Sequence, residues 1–130
     1  MAEADLQKNV MIALKALDPV PVDNPRRPGT PDVNYIEGWM ELKFLHAFPK
    51  RADTVVKFPK FNPQQRVWLY KRASRGGKCY VLAQVSNLIF LFNGGFASQY
   101  LGKMTKTQML NHAVKVWDKF PFTELEEVVR

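Results

Sequence analysis

Asp32, Glu41 and Lys43 interrupt the otherwise apolar stretch GTPDVNYIEGWMELKF, residues 29–44. Side chains of a strand alternate between its two faces, so Glu41 and Lys43 project together while Met40, Leu42 and Phe44 point the other way. If VNYI and WMELKFL form a hairpin closed on Glu37-Gly38, Ile36 pairs with Trp39, Asn34 with Glu41 and Asp32 with Lys43, and all three charges share one face. Two carboxylates held close raise at least one pKa unless a cation sits between them, and oxygen ligands of this kind suit Mg²⁺ or Mn²⁺. A lysine beside them offsets one negative charge, and it can also stabilise charge developing on a phosphate or orient a water. The plainer alternative is a surface hairpin whose Asp32–Lys43 ion pair carries little energy.

The elements expected to position these residues run helix, short strand, hairpin, loop, helix, two strands, helix. Apolar residues at Leu6, Val10, Ala13 or Leu14, and Leu17 make the core-facing stripe of a first helix. The four prolines of DPVPVDNPRRPG then allow no more than a short edge strand. Glu37 suits a tight primed turn poorly, so the hairpin loop can exceed two residues. Asn62-Pro63 starts a second helix and Gly76-Gly77 stops it. KCYVLAQV and NLIFLFN read as strands. A last helix is expected from Thr105 or Thr107, burying Met109 or Leu110, Ala113, Val116 or Trp117, and Phe120. Trp68, Tyr70 and Trp117 fit a core, whereas Trp39 falls on the face of Glu41 and Lys43 and is the one aromatic expected to stack a base.

A chain of 130 residues is the length of one domain, expected to span residues 1–130. It carries no apolar run near the ~20 residues of a membrane helix, and its start is acidic rather than basic, so a cytoplasmic protein without a membrane partner is expected. The single cysteine, Cys79, lies in an apolar strand as a small buried residue. The net charge of +7 is concentrated: Lys50, Arg51, Lys57, Lys60, Arg66, Lys71, Arg72, Arg75 and Lys78 face only Asp53 in that interval. Because the excess spans a loop and the helix after it, a phosphate-contacting face is expected rather than one solvated helix side. SRGGK is not a phosphate loop, since it runs from helix to strand and ends in Lys-Cys. His46 and His112 lack partners at metal-ligand spacing and read as structural or solvent-exposed.

Pro31-Asp32 followed by Glu41-Leu42-Lys43 resembles the PD-(D/E)XK signature of metal-dependent nucleases. Glu3, in the first turn of the opening helix, matches an acidic position of the Holliday-junction resolvase branch. NPQQRVWLYKRASRGGKCYVLAQV is similar to the proline, glutamine, Trp-Leu, glycine and strand succession of the virus-type replication-repair nuclease (VRR-NUC) group. The resemblance covers residues 3–92 approximately and leaves a C-terminal helical extension, about 104–120, unmatched. It implies an α/β, restriction-endonuclease-like fold with a central mixed β-sheet flanked by helices. It also implies Mg²⁺, with Mn²⁺ able to substitute, held by Asp32, Glu41 and the Leu42 carbonyl. Lys43 becomes the catalytic lysine and Glu3 an additional ligand or second-shell base, unless Glu3 merely answers the helix dipole. Gln65 takes the glutamine position, with Gln64 as the alternative, because HAFPKRADTVVKFPKF makes a longer insertion than the group's minimum. The implied substrate is DNA, branched as in a Holliday junction or else a flap, fork or single strand, contacted by Arg26, Arg27, Lys50, Arg51, Lys57, Lys60, Arg72 and Arg75. A non-catalytic DNA-binding module on the same fold is the competing class. Paired cuts at a four-way junction imply a homodimer, for which NLIFLFN and the C-terminal helix are the candidate surfaces.

Overall fold

The computed structural model describes residues 3–130; Met1 and Ala2 lie outside the described residues. Helix α1 (Glu3–Ala13) and a 3₁₀ turn (Lys15–Leu17) bury Leu6, Val10, Ala13, Leu14 and Leu17, so both alternatives at the third stripe position face the core. Strand β1 (Val20–Pro21) is the edge of a six-stranded sheet, the place where proline costs no ladder hydrogen bond. Next come β2 (Val33–Tyr35), β3 (Gly38–Leu45) and the two-residue β4 (Val55–Val56). Helix α2 (Pro63–Ser74) carries the chain to β5 (Lys78–Val85), which turns back as β6 (Leu88–Asn93). Short elements close the chain: α3 (Gly94–Tyr100), β7 (Met104–Thr105), α4 (Lys106–His112), β8 (Lys115–Trp117) and α5 (Leu125–Val129).

The sheet order is β1-β2-β3-β5-β6-β8, and β4 pairs with β7 apart from it. Only β3 and β5 run parallel, as their connection through α2 requires; the other neighbours are antiparallel. The architecture is therefore α/β, a mixed six-stranded sheet with helices on both faces. On one face, α1 and α5 pack on Val33, Met40, Leu42, Leu82 and Leu91. On the other, Leu69 of α2, Ala97 of α3 and Met109 of α4 pack with Val81, Ala83, Phe90 and Phe92. The central strands are buried from both sides and read as continuous apolar runs for that reason.

Three expectations are corrected. The hairpin register is Tyr35 with Gly38, Asn34 with Trp39 and Val33 with Met40, which puts Asp32 beside Glu41 and Leu42 instead of Lys43. Gly38 belongs to the strand, pairing with Tyr35 and Lys78, and only glycine fits there because a Cβ would lie 2.4 Å from the Lys78 carbonyl oxygen; the turn is Ile36-Glu37. The expected C-terminal helix stops at His112; Val114 N–H then donates to the Leu91 carbonyl (2.7 Å), and Lys115–Trp117 extend the sheet as β8. NLIFLFN is consequently a sheet-interior strand, paired with β5 and β8 and buried through Ile89–Phe92, so it offers no dimer surface.

Candidate active site

The corrected register brings the acids closer together than the expected one did. Asp32 Oδ2 accepts the Leu42 backbone N–H at 2.8 Å, which fixes its carboxyl against the middle of β3. Glu41 and Lys43, two residues apart on one face of β3, are 1% and 5% exposed and form an ion pair of 3.0 Å through Oε2. Glu41, not Asp32, is thus the ion-pair partner of Lys43. The Lys43 ammonium also donates to Gln65 Oε1 (3.0 Å) and to the Lys60 carbonyl (3.1 Å), so its three protons are all directed.

Gln65 is held for this by its own helix end. Asn62 caps α2 by accepting from Gln65 N–H (2.9 Å), while Gln65 Oε1 accepts from Asn62 N–H (3.1 Å) as well as from Lys43, a reciprocal capping box. Of the two glutamines, Gln65 reaches the lysine; Gln64 is exposed. The Lys60 carbonyl comes from the insertion, where Phe58 and Phe61 are buried anchors and the Lys43 ammonium lies 5.4 Å from the Phe61 ring centre. That insertion builds a wall of the site. Its sequence signal is the pair of aromatics flanking Lys60, which anchor an ordered loop where length alone suggests only an insertion.

Burial pushes the Glu41 carboxyl up to about 8, with the negative charge of Asp32 beside it acting the same way and Lys43 opposing. Burial also raises Asp32, against the pull of the Leu42 N–H and of Lys43. Glu41 Oε1 is buried and accepts from no N–H group, and the neighbour within side-chain hydrogen-bond reach of Glu41 on the other side from Lys43 is the Asp32 carboxyl. A buried carboxylate whose neighbour is a second acid is the environment in which a proton or a hard cation is held. The donor set, two carboxylates and neighbouring backbone oxygens, suits Mg²⁺ or Mn²⁺. Among the described residues no group of three or more His, Cys, Asp or Glu side chains converges as a metal cage. Glu3 stays exposed at the rim, where it lines two cavities of about 340 and 380 Å³ that include Asp32 and Lys43 respectively. It faces the pair without closing on it. His46 lines the larger of these cavities with Lys60 and Pro59, a position its isolated place in the sequence gave no sign of.

The candidate phosphate contacts divide. Lys60 borders the cavity of Lys43, and Arg27, Arg72 and Arg75 share a groove on α2 with Lys71. Arg26, Lys50, Arg51 and Lys57 are exposed, Arg51 beside Asp53 at 3.5 Å. Arg66 is spent on the fold, donating to the carbonyls of Phe61 (3.2 Å) and Ser98 (3.3 Å). Trp39 lies on the face of Glu41 and Lys43, edge-on to Trp68 with ring centres 5.2 Å apart. Cys79 is buried, its thiol donating to the Leu69 carbonyl. No helix among the described residues is long and apolar enough to cross a membrane.

No protein-family model matches this sequence, and no curated protein matches it.

Proposed function

We propose that this protein is a metal-dependent nuclease with a restriction-endonuclease-like core, hydrolysing phosphodiester bonds in branched DNA. The observation that carries this reading is the cluster of half-buried Asp32 with the buried Glu41–Lys43 pair, in which the two carboxyls meet and one ammonium answers both. A structural ion pair needs one carboxylate for one ammonium. The second carboxylate adds like-charge repulsion in a desolvated place, a cost that a bound cation removes.

Asp32, Glu41 and the Leu42 carbonyl would hold Mg²⁺ or Mn²⁺, with Glu3 facing the same space. Such an ion supplies a water of lowered pKa and a Lewis acid for the phosphate oxygens. Lys43 orients an attacking water or neutralises charge building on the phosphate, its ammonium aimed by Gln65 and the Lys60 carbonyl. Exposed Lys and Arg bring the DNA backbone to this cluster by long-range attraction. On a four-way junction, two symmetric cuts require two copies of a chain with one acidic cluster, so that version entails a homodimer. The test is incubation of labelled flap and four-way-junction DNA with Mg²⁺, Mn²⁺ or EDTA. Products in either metal and none in EDTA are expected; uncut DNA under all three conditions would count against the reading.

A further inference from the structure

A groove of about 700 Å³ lies along α2, with Arg27, Lys71, Arg72 and Arg75 on its walls and Trp68 and Pro28 in its lining. None of these four cations has a carboxylate within ion-pair distance among the described residues. Their charge is unspent. Arg72 is also posed: its guanidinium carbon sits 4.3 Å from the centre of the Trp68 ring and 5.6 Å from that of Trp39. Gly77 leaves the room, because a Cβ there would lie 2.4 Å from Arg72 Cδ. The groove thus combines three cations free to meet phosphates with a half-buried guanidinium held over an indole ring.

A duplex hides its base faces and presents phosphates, for which no fixed aromatic floor is needed. Unpaired nucleotides present both phosphates and open ring faces, and these stack on aromatic and guanidinium planes. The volume is in the range of pockets that take one ligand-sized group. The groove also adjoins the acidic cluster. Gln64 lines it while its neighbour Gln65 holds Lys43, and Gly29 packs against the Gln64 carbonyl, where a Cβ would lie 2.5 Å away, three residues before Asp32.

We propose that this groove receives an unpaired stretch of DNA, one base stacking on the Arg72–Trp68 platform while its phosphates meet Arg27, Lys71 and Arg75. Resting on the nuclease reading, this makes the substrate a flap, a fork or a junction with unpaired nucleotides, not a fully paired duplex.

The test is fluorescence anisotropy in EDTA with a labelled oligothymidine and a blunt duplex of equal length. The single strand is expected to bind at least about fivefold more tightly than the duplex. Arg72→Lys keeps the charge and removes the plane, and is expected to weaken single-strand binding by about fivefold or more with duplex binding changed by less than about twofold. Gly77→Ala, which displaces Arg72 without altering any charge, is expected to do the same, and circular dichroism checks that each variant is folded. Equal affinity for both DNAs, or equal weakening of both by Arg72→Lys, would overturn the proposal. Single-strand preference lost in Arg72→Lys, without cleavage by the wild type in Mg²⁺, would support the groove while removing the nuclease reading. Metal-dependent cleavage with a silent Arg72→Lys would do the reverse.

Discussion

Replacing Glu41 by Gln tests the electrostatics of the acidic pair through stability alone. The Glu41 carboxyl is raised from an ordinary value of 4.5 to about 8, with burial the first cause and Asp32 the second. Between those two pH values the folded protein holds a proton that the unfolded chain has released. Stability therefore falls as pH rises through this window, by about 1.4 kcal/mol per pH unit. Over the whole window the loss is on the order of 4–5 kcal/mol if Glu41 titrates alone, a large part of a small domain's stability. Asp32, raised as well, adds in the same direction. Urea unfolding in EDTA at pH 5 and pH 9 should show this loss for the wild type. Glu41→Gln should lose much less, because its amide cannot ionise. Mg²⁺ at pH 9 should restore wild-type stability, since a cation takes over from the proton, and should leave Glu41→Gln almost unchanged. Equal pH slopes for the two proteins, or no response of the wild type to Mg²⁺, would refute this electrostatic reasoning.

Gln65→Ala removes one acceptor of Lys43 and half of the α2 capping box, so about 1 kcal/mol of stability should disappear in urea titration together with most of the cleavage rate. A variant with Lys57, Lys60, Arg72 and Arg75 all replaced by Gln should show a flatter log–log dependence of branched-DNA affinity on salt, by up to about 0.9 for each duplex phosphate and about 0.7 for each single-strand phosphate that is no longer neutralised. An unchanged slope would reduce those residues to solvated charge. Gly94→Ala should lower the melting temperature, because its Cβ would lie 2.4 Å from Cys79 Sγ and 2.9 Å from the Cys79 carbonyl oxygen; overpacking of this kind costs roughly 1–3 kcal/mol.

Local signals were legible wherever they were self-contained. The stripe of α1, the Asn62-Pro63 start and Gly76-Gly77 stop of α2, and the apolar runs of β5 and β6 each lie within one element, and each stands where its residues indicated. What depended on a distant neighbour did not show. Gly38 looks like a turn residue until the Lys78 carbonyl is packed against it, and that close approach shifts the register that places Asp32. Gly94 and Gly95 conceal α3, since glycine is a poor helix former, yet Gly94 is what lets that helix approach Cys79. Val116 and Trp117 fit a helical stripe, but with a partner edge at β6 their β preference prevails, and β8 forms. At the site, the types and shared face of Glu41 and Lys43 were readable from alternation. The Lys60 carbonyl that completes the lysine's hydrogen bonds was not, because a backbone acceptor carries no residue signature.

The most direct measurement is DNA cleavage by the wild type, Asp32→Ala and Lys43→Ala, each in Mg²⁺ and in EDTA, with binding to the same labelled branched DNA recorded alongside. Both substitutions spare the exposed basic residues, so all three proteins should bind the DNA with similar affinity while only the wild type in Mg²⁺ cuts it, the variants falling by at least about a hundredfold. Turnover by Asp32→Ala at the wild-type rate, or cleavage that persists in EDTA, would contradict a metal-dependent nuclease centred on Asp32, Glu41 and Lys43.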